Sequence, residues 1–69
     1  MLESLDINGR LYVASDRAAL TVGYQVSYIE RLARGKWIDA SFVQGQCFVD
    51  IASLERFIAA SEADVTAQL

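Results

Sequence analysis

The feature that most constrains this chain is a pair of short helical patterns that meet at a glycine, between Ala18 and Lys36. The first helix is predicted over residues 16–22, with Ser15 as its N-cap, because a serine oxygen can accept a hydrogen bond from the free N–H groups of a first turn. Gly23 is expected to end this helix, since glycine readily takes the left-handed backbone found just past a helix.

The second helix is predicted over residues 25–34. Its apolar positions recur at spacings of three and four and are expected to face the core: Ile29, Leu32 and Ala33. The remaining positions are left for solvent and are polar: Gln25, Ser27, Glu30, Arg31 and Arg34. Two helices joined by a short turn with a glycine form a helix-turn-helix unit, whose second helix can enter the major groove of DNA.

The flanking segments predict strands and a third helix. A short β-prone run covers residues 10–13, and two apolar runs within residues 42–49 surround a turn, Gln44-Gly45-Gln46, as in a β-hairpin. Asp50 is predicted to cap a third helix, whose apolar stripe is Leu54, Phe57 and Ile58.

This order of elements predicts the α+β class and a small winged helix-turn-helix: short strand, two helices, β-hairpin wing, third helix. We expect an N-terminal extension at residues 1–9, the winged helix-turn-helix domain at residues 10–61, and a C-terminal tail at residues 62–69 that either continues the third helix or frays.

The composition excludes several classes of protein. The 69 residues make one domain at most. Cys47 is the single cysteine and histidine is absent, so we expect no internal disulfide and no zinc site, with Cys47 acting as a small hydrophobic residue. There is no glycine-rich phosphate loop, metal cluster or pair of nucleophile and base, so we expect neither an enzyme nor a cofactor.

The sequence also favours a reducing, cytoplasmic location without membrane contact. No segment approaches the roughly 20 apolar residues of a membrane span, and the first residues lack the pattern of a signal peptide. A lone cysteine fits a protein that keeps its thiol reduced.

The charge is distributed unevenly. The formal net charge is −3, which opposes binding to phosphate. Residues 10–49, however, carry five cations against three acids, while residues 1–9 carry only two acids and residues 50–69 carry one cation against four acids. The helix-turn-helix is therefore the basic part of an acidic chain.

Residues 10–58 resemble the excisionase-like and MerR-like group of small winged helix-turn-helix domains. The resemblance rests on these residues: the Ala18-Ala19 pair before Gly23-Tyr24, Tyr28-Ile29 with Leu32, the run from Gly35 to Ala40, the hairpin from Val43 to Val49, and Ser53-Leu54. It implies a DNA-binding protein, a small transcriptional regulator or an excisionase-like accessory factor, that binds double-stranded DNA as a homodimer or cooperatively.

The resemblance also implies which residues meet DNA. Four would lie on the face in the major groove: Gln25, Ser27, Tyr28 and Arg31. Three would lie near phosphates: Arg17, Arg34 and Lys36. The wing tip would be Gln44, Gly45 and Gln46. Glutamine can pair with an adenine edge and arginine with a guanine, each worth about 1–3 kcal/mol of discrimination.

Three departures keep an alternative open. Members of the group usually have Arg or Lys at the wing tip where this chain has Gln46, a large aromatic where it has Cys47, and Ser or Thr where it has Gln25. The alternative is a module for protein interaction or oligomerisation on a winged-helix scaffold that has lost DNA binding. Its interface would use the third helix and the tail, with Val65 and Leu69.

Several of these residues also have more than one possible role. Arg31 either reads a base or is a surface arginine paired with Glu30 or another acid. Tyr24 and Tyr28 either reach phosphate or close the corner between the helices. The Gln44-Gly45-Gln46 segment is either a DNA contact or a plain hairpin turn. Trp37 is expected in the core or in a subunit interface.

Overall fold

The protein has three helices and one four-stranded sheet. The computed structural model describes residues 3–68, with side chains described for residues 3–62. The elements are β1 (Ser4–Ile7), β2 (Arg10–Ala14), α1 (Ser15–Val22), α2 (Val26–Arg34), β3 (Ala40–Val43), β4 (Gln46–Asp50) and α3 (Ile51–Gln68). The prediction of an α+β chain is therefore confirmed.

The sheet is antiparallel in the order β1-β2-β4-β3. Two hairpins build it, and each closes through a two-residue turn with positive φ at both positions: Asn8-Gly9 (53° and 77°) and Gln44-Gly45 (50° and 78°). Such turns match the twist of the strands that they join. The β3–β4 hairpin agrees with the sequence prediction, except that Gln46 was expected in the turn and instead begins β4, where it pairs with Val43. β1 was not predicted as a strand and pairs with β2 along its whole length.

The start of α1 differs from the prediction. Ala14, not Ser15, precedes the first helical residue, and this N-cap residue makes no side-chain capping bond. Ser15 is buried, and its hydroxyl donates to Glu30 Oε2 at 3.1 Å. Ser15 is therefore the first residue of α1 rather than its cap, and its hydroxyl binds a partner on α2. The end of α1 is as predicted, with Gly23 at φ 77°.

The core forms where α1, α2 and α3 pack on the sheet. The predicted inward face of α2 is confirmed, because Ile29, Leu32 and Ala33 are all buried, and Leu54 of α3 is fully buried with them. Cys47 lies in the same cluster, as expected of a small hydrophobic residue. Leu20 of α1, by contrast, is exposed.

The end of α2 is organised around Trp37. The N–H of Trp37 donates to the carbonyl of Leu32 at 3.0 Å, and the N–H of Lys36 donates to that of Ala33 at 3.2 Å. This is the Schellman pattern, in which the first residue beyond the C-cap of the helix takes the left-handed backbone conformation. That residue is Lys36 (φ 62°), whereas Gly35 is right-handed.

Position 35 requires a glycine for a steric reason. A Cβ at this position would lie 2.8 Å from Cδ1 of Trp37, closer than atoms pack, so glycine makes room for the indole. The indole lies against Phe57, with ring centroids 6.1 Å apart, and remains 68% exposed. Of the two places expected for Trp37, the core is wrong, because the ring lies across the helix end rather than beneath it, and the subunit interface stays a prediction.

Asp50 links the sheet to α3. Its Oδ1 accepts from the N–H groups of Ala52 (3.1 Å) and Ser53 (3.4 Å), which confirms the predicted cap. Its Oδ2 lies 2.6 Å from Nη2 of Arg10, and the same Nη2 lies 3.0 Å from Oδ2 of Asp39. Asp50 is buried, so Arg10 supplies the cation that a buried carboxylate requires.

Candidate nucleic-acid interface

The outward face of α2 is the centre of the candidate site. Ser27, Arg31 and Arg34 follow one another at spacings of four and three, so they share one side of the helix, and all three are exposed. Gln25 precedes the helix in extended conformation, exposed, and its side chain makes no capping bond. It therefore stands at the N-terminal end of the same helix.

Three of the four cations that form no ion pair among the described residues lie at the C-terminal end of α2, and the fourth, Arg56, lies on α3. Arg10 is committed to two aspartates, and Nε of Arg17 lies 2.9 Å from Oε1 of Glu3. Arg31, Arg34 and Lys36 are exposed and form no ion pair within residues 3–62. Of the two roles considered for Arg31, pairing with Glu30 is not seen.

Arg17 differs from these cations because it forms an ion pair. Its partner Glu3 is the residue before β1, and both side chains are more than half exposed. An exposed ion pair of this kind is worth little, so a phosphate could displace Glu3 at small cost.

The tip of the β3–β4 hairpin faces α2 across a groove of about 410 Å³. Gln44 and Gly45 are exposed, and Gln46 is half-buried. The groove is lined by Ser15, Asp16, Val26, Glu30, Gln44, Gly45, Gln46 and Cys47. The two charged residues that line the groove, Asp16 and Glu30, are both acids. The side of α2 that faces the hairpin is therefore negative, whereas the C-terminal end of α2 is positive.

The two tyrosines form a structural pair. The rings of Tyr24 and Tyr28 stack with centroids 5.3 Å apart, and Tyr28 is half-buried against the core. The hydroxyl of Tyr24 donates to Oε2 of Glu62 at 3.4 Å. Burial, followed by the charge of Glu62, raises the pKa of the Tyr24 phenol above its ordinary value. This arrangement fits the closing of the corner, with Tyr28 at the margin of the outward face.

Sequence reasoning missed two properties of this site. It placed Lys36 near phosphate without foreseeing its left-handed backbone, because the glycine beside it is the usual occupant of that conformation. It also placed Glu30 simply outside, whereas Glu30 is half-buried, lines the groove and accepts from Ser15. No local signal marks that bond, since fifteen residues separate its partners.

Comparison of the chain with models of known protein families, with curated proteins and with solved structures gave no match in any of the three. Within the described residues, no helix combines the length and the apolar character that crossing a bilayer requires.

Proposed function

We propose that this chain is a winged helix-turn-helix module that binds double-stranded DNA, with α2 as the recognition helix and the β3–β4 hairpin as the wing. The observation that carries the proposal is the group formed by Arg31, Arg34 and Lys36, which are exposed and in no ion pair among the described residues. In this role the chain is a small transcriptional regulator or an excisionase-like accessory factor.

The backbone of Lys36 supports this proposal. A non-glycine residue in left-handed conformation costs roughly 1–2 kcal/mol, and such strain is found at functional sites more often than elsewhere. Gly35 is adjacent, yet the strained position holds a lysine that is exposed and unpaired in the described part of the chain. A phosphate contact gives this lysine a use that glycine cannot fulfil.

The acids of the groove limit how strongly one copy can bind. Asp16 and Glu30 lie between α2 and the hairpin, and the hairpin tip carries no cation. With the three unpaired cations at the end of α2, a single copy releases about three counterions, which is few for a specific DNA-binding protein. We therefore propose binding as a homodimer or cooperatively along DNA.

The test is fluorescence anisotropy on labelled duplexes between about 50 and 200 mM salt. We expect log affinity to fall against log salt with a slope of about −3 for each copy bound. Arg34→Ala is expected to weaken binding to all duplexes alike, whereas Arg31→Ala is expected to reduce the difference between preferred and other sequences.

The matched control is Arg56→Ala, which also removes one exposed cation, but from α3. It is expected to change affinity much less than Arg34→Ala does. Absence of binding at the lowest salt, or equal losses for Arg34→Ala and Arg56→Ala, would contradict the proposal.

A second candidate function is a protein-interaction or oligomerisation module. It is favoured by large apolar side chains that are exposed away from the core: Leu20, Trp37 and Phe42. The side chains of Val65 and Leu69, which the sequence suggested for its interface, lie outside the described residues. Salt-dependent DNA affinity separates the two candidates, because only the first requires it.

A further inference from the structure

The outer edge of β3 lacks the features that normally protect a sheet edge. β3 ends the sheet, pairs only with β4, and consists of Ala40, Ser41, Phe42 and Val43. Proteins usually protect such edges with charges, prolines or bulges, since the free N–H and C=O groups are a template for another strand. β3 has neither charge nor proline.

The register shows which backbone groups are free. Val43 pairs with Gln46 across the two-residue turn, so these two residues exchange both hydrogen bonds, and Ser41 with Phe48 is the next such pair. Ala40 and Phe42 alternate with them and direct their N–H and C=O groups away from β4. Among the described residues, no backbone bond outside the sheet and helices reaches Phe42.

The side chains at this edge are apolar and accessible. Phe42 is 54% exposed and Val43 is 37% exposed. An extended chain that pairs with β3 would thus gain backbone hydrogen bonds and would also bury the phenyl ring of Phe42. This combination is what strand addition to a sheet uses.

The opposite edge of the sheet provides a contrast. In the β1–β2 hairpin, Ile7 pairs with Arg10 beside the turn. The backbone N–H and C=O groups of Asp6 therefore point away from β2, as those of Phe42 point away from β4. Two copies joined through β1 about that position would set two aspartates against each other, and like charges directly opposite are destabilising. In the equivalent register, therefore, the β3 edge meets its own copy without opposed charges and the β1 edge does not.

We propose that the occupant of the β3 edge is β3 of a second copy of this chain, antiparallel, with the two-fold axis between the two Phe42 residues. In this register each Phe42 exchanges both backbone hydrogen bonds with the other, and Ser41 lies opposite Val43 of the partner. The one charged residue next to the strand, Asp39, lies opposite Gly45 of the partner, so no two charges meet. The two sheets become one of eight strands.

This inference gives an interface to the self-association in the proposed function, but it does not depend on DNA. A contact of two short strands is small, so the dimer is expected to form and dissociate with concentration. The first measurement is sedimentation velocity of the purified chain without DNA, from the micromolar to the millimolar range. A mass that rises towards twice that of one chain is expected.

The variant Phe42→Lys sets two cations against each other at the axis. It is expected to weaken association about tenfold or more, because like charges across an interface are costly. Leu11→Lys is the matched control, since Leu11 is an apolar residue of similar exposure located on β2. This control is expected to leave association unchanged, and circular dichroism of each variant checks the fold.

A disulfide test examines the register. In a hydrogen-bonded pair the two Cα atoms lie about 5.5 Å apart, within the range of roughly 4.4–6.8 Å that a disulfide spans. In a Cys47→Ala background, Phe42→Cys is expected to give a cross-linked dimer on mild oxidation faster than Ser41→Cys, whose partner in the other copy is Val43.

Three results would overturn the inference: an unaltered chain that stays monomeric at millimolar concentration, a dimer that Phe42→Lys leaves intact, or equal cross-linking at both positions. Each leaves the DNA proposal standing, because DNA is absent from these measurements. Absence of DNA binding by a chain that dimerises as described would in turn leave the β3 interface standing.

Discussion

At the scale of single residues, Cys47 shows how burial changes the ionisation of a side chain. The thiol is buried beside the groove, and burial, followed by the charge of Glu30, raises its pKa above the ordinary value, while Arg34 acts in the opposite direction. The thiolate is the reactive form of cysteine. Burial and the raised pKa both therefore disfavour the thiolate of Cys47 in the folded chain.

We predict that a thiol reagent modifies Cys47 slowly in the folded chain and quickly in urea. Because the folded state disfavours the thiolate, the free energy of unfolding is expected to fall as pH rises above the ordinary pKa of a thiol, where the unfolded chain ionises first. Urea denaturation at about pH 8 and about pH 10 measures this. Cys47→Ala is expected to show a smaller fall, and an equal fall would exclude Cys47 as its source.

At the scale of elements, α2 shows which structural features follow from the local sequence and which follow from tertiary contacts. The spacing of Ile29, Leu32 and Ala33 correctly predicts the inward face, because a helix repeats every 3.6 residues whatever surrounds it. The left-handed residue at the end of the helix is Lys36, because the N–H groups of Lys36 and Trp37 bond to the carbonyls of Ala33 and Leu32. The indole of Trp37 explains instead why position 35 is a glycine, since it occupies the space that a Cβ there would need.

Lys36→Gly is the prediction that follows at this scale. Relief of the left-handed strain is expected to raise the free energy of unfolding by about 1 kcal/mol, as measured by urea denaturation. The same substitution is expected to weaken DNA binding, since it removes a free cation. A gain in stability with unchanged DNA affinity would exclude Lys36 from the interface.

The control for this prediction is Asn8→Gly, at another left-handed position, in the turn between β1 and β2. Asparagine tolerates this conformation better than lysine does, so a smaller gain in stability is expected. DNA affinity is expected to stay the same, because residue 8 lies outside the candidate interface.

At the scale of the whole molecule, Arg10, Asp39 and Asp50 join three regions of the fold. Arg10 lies on β2, Asp39 follows α2, and Asp50 ends β4 and caps α3. The backbone N–H of Asp50 donates to the carbonyl of Asp39 at 2.9 Å, and the N–H of Asp39 donates to Oγ of Ser53 at 3.1 Å. The sheet, the loop after α2 and α3 are thereby held in one arrangement.

We predict that Asp50→Ala lowers the free energy of unfolding by about 2–3 kcal/mol, because it removes both the cap of α3 and the partner of Arg10. Asp50→Asn keeps an oxygen for the cap and is expected to cost about 1 kcal/mol less. Glu55→Ala, which removes an exposed acid from α3, is expected to change stability by less than about 0.5 kcal/mol. Equal effects of the two Asp50 variants would mean that the cap contributes nothing.

The sequence by itself determined the features that depend on neighbours along the chain. These include the inward face of α2, the end of α1 at Gly23, the turn at Gln44-Gly45 and the cap at Asp50. All follow from the period of a helix or from the backbone preference of single residues, which operate over a few positions.

Only the tertiary structure decided which distant groups meet. It assigned Ser15 to Glu30 rather than to a cap, placed Trp37 on the surface, and added β1 to the sheet. It also decided which cations stay free, since Arg10 and Arg17 find acids whereas Arg31 finds none in the described part of the chain. The physical reason is that burial, ion pairing and strand pairing depend on distance in space, which the order of residues does not specify.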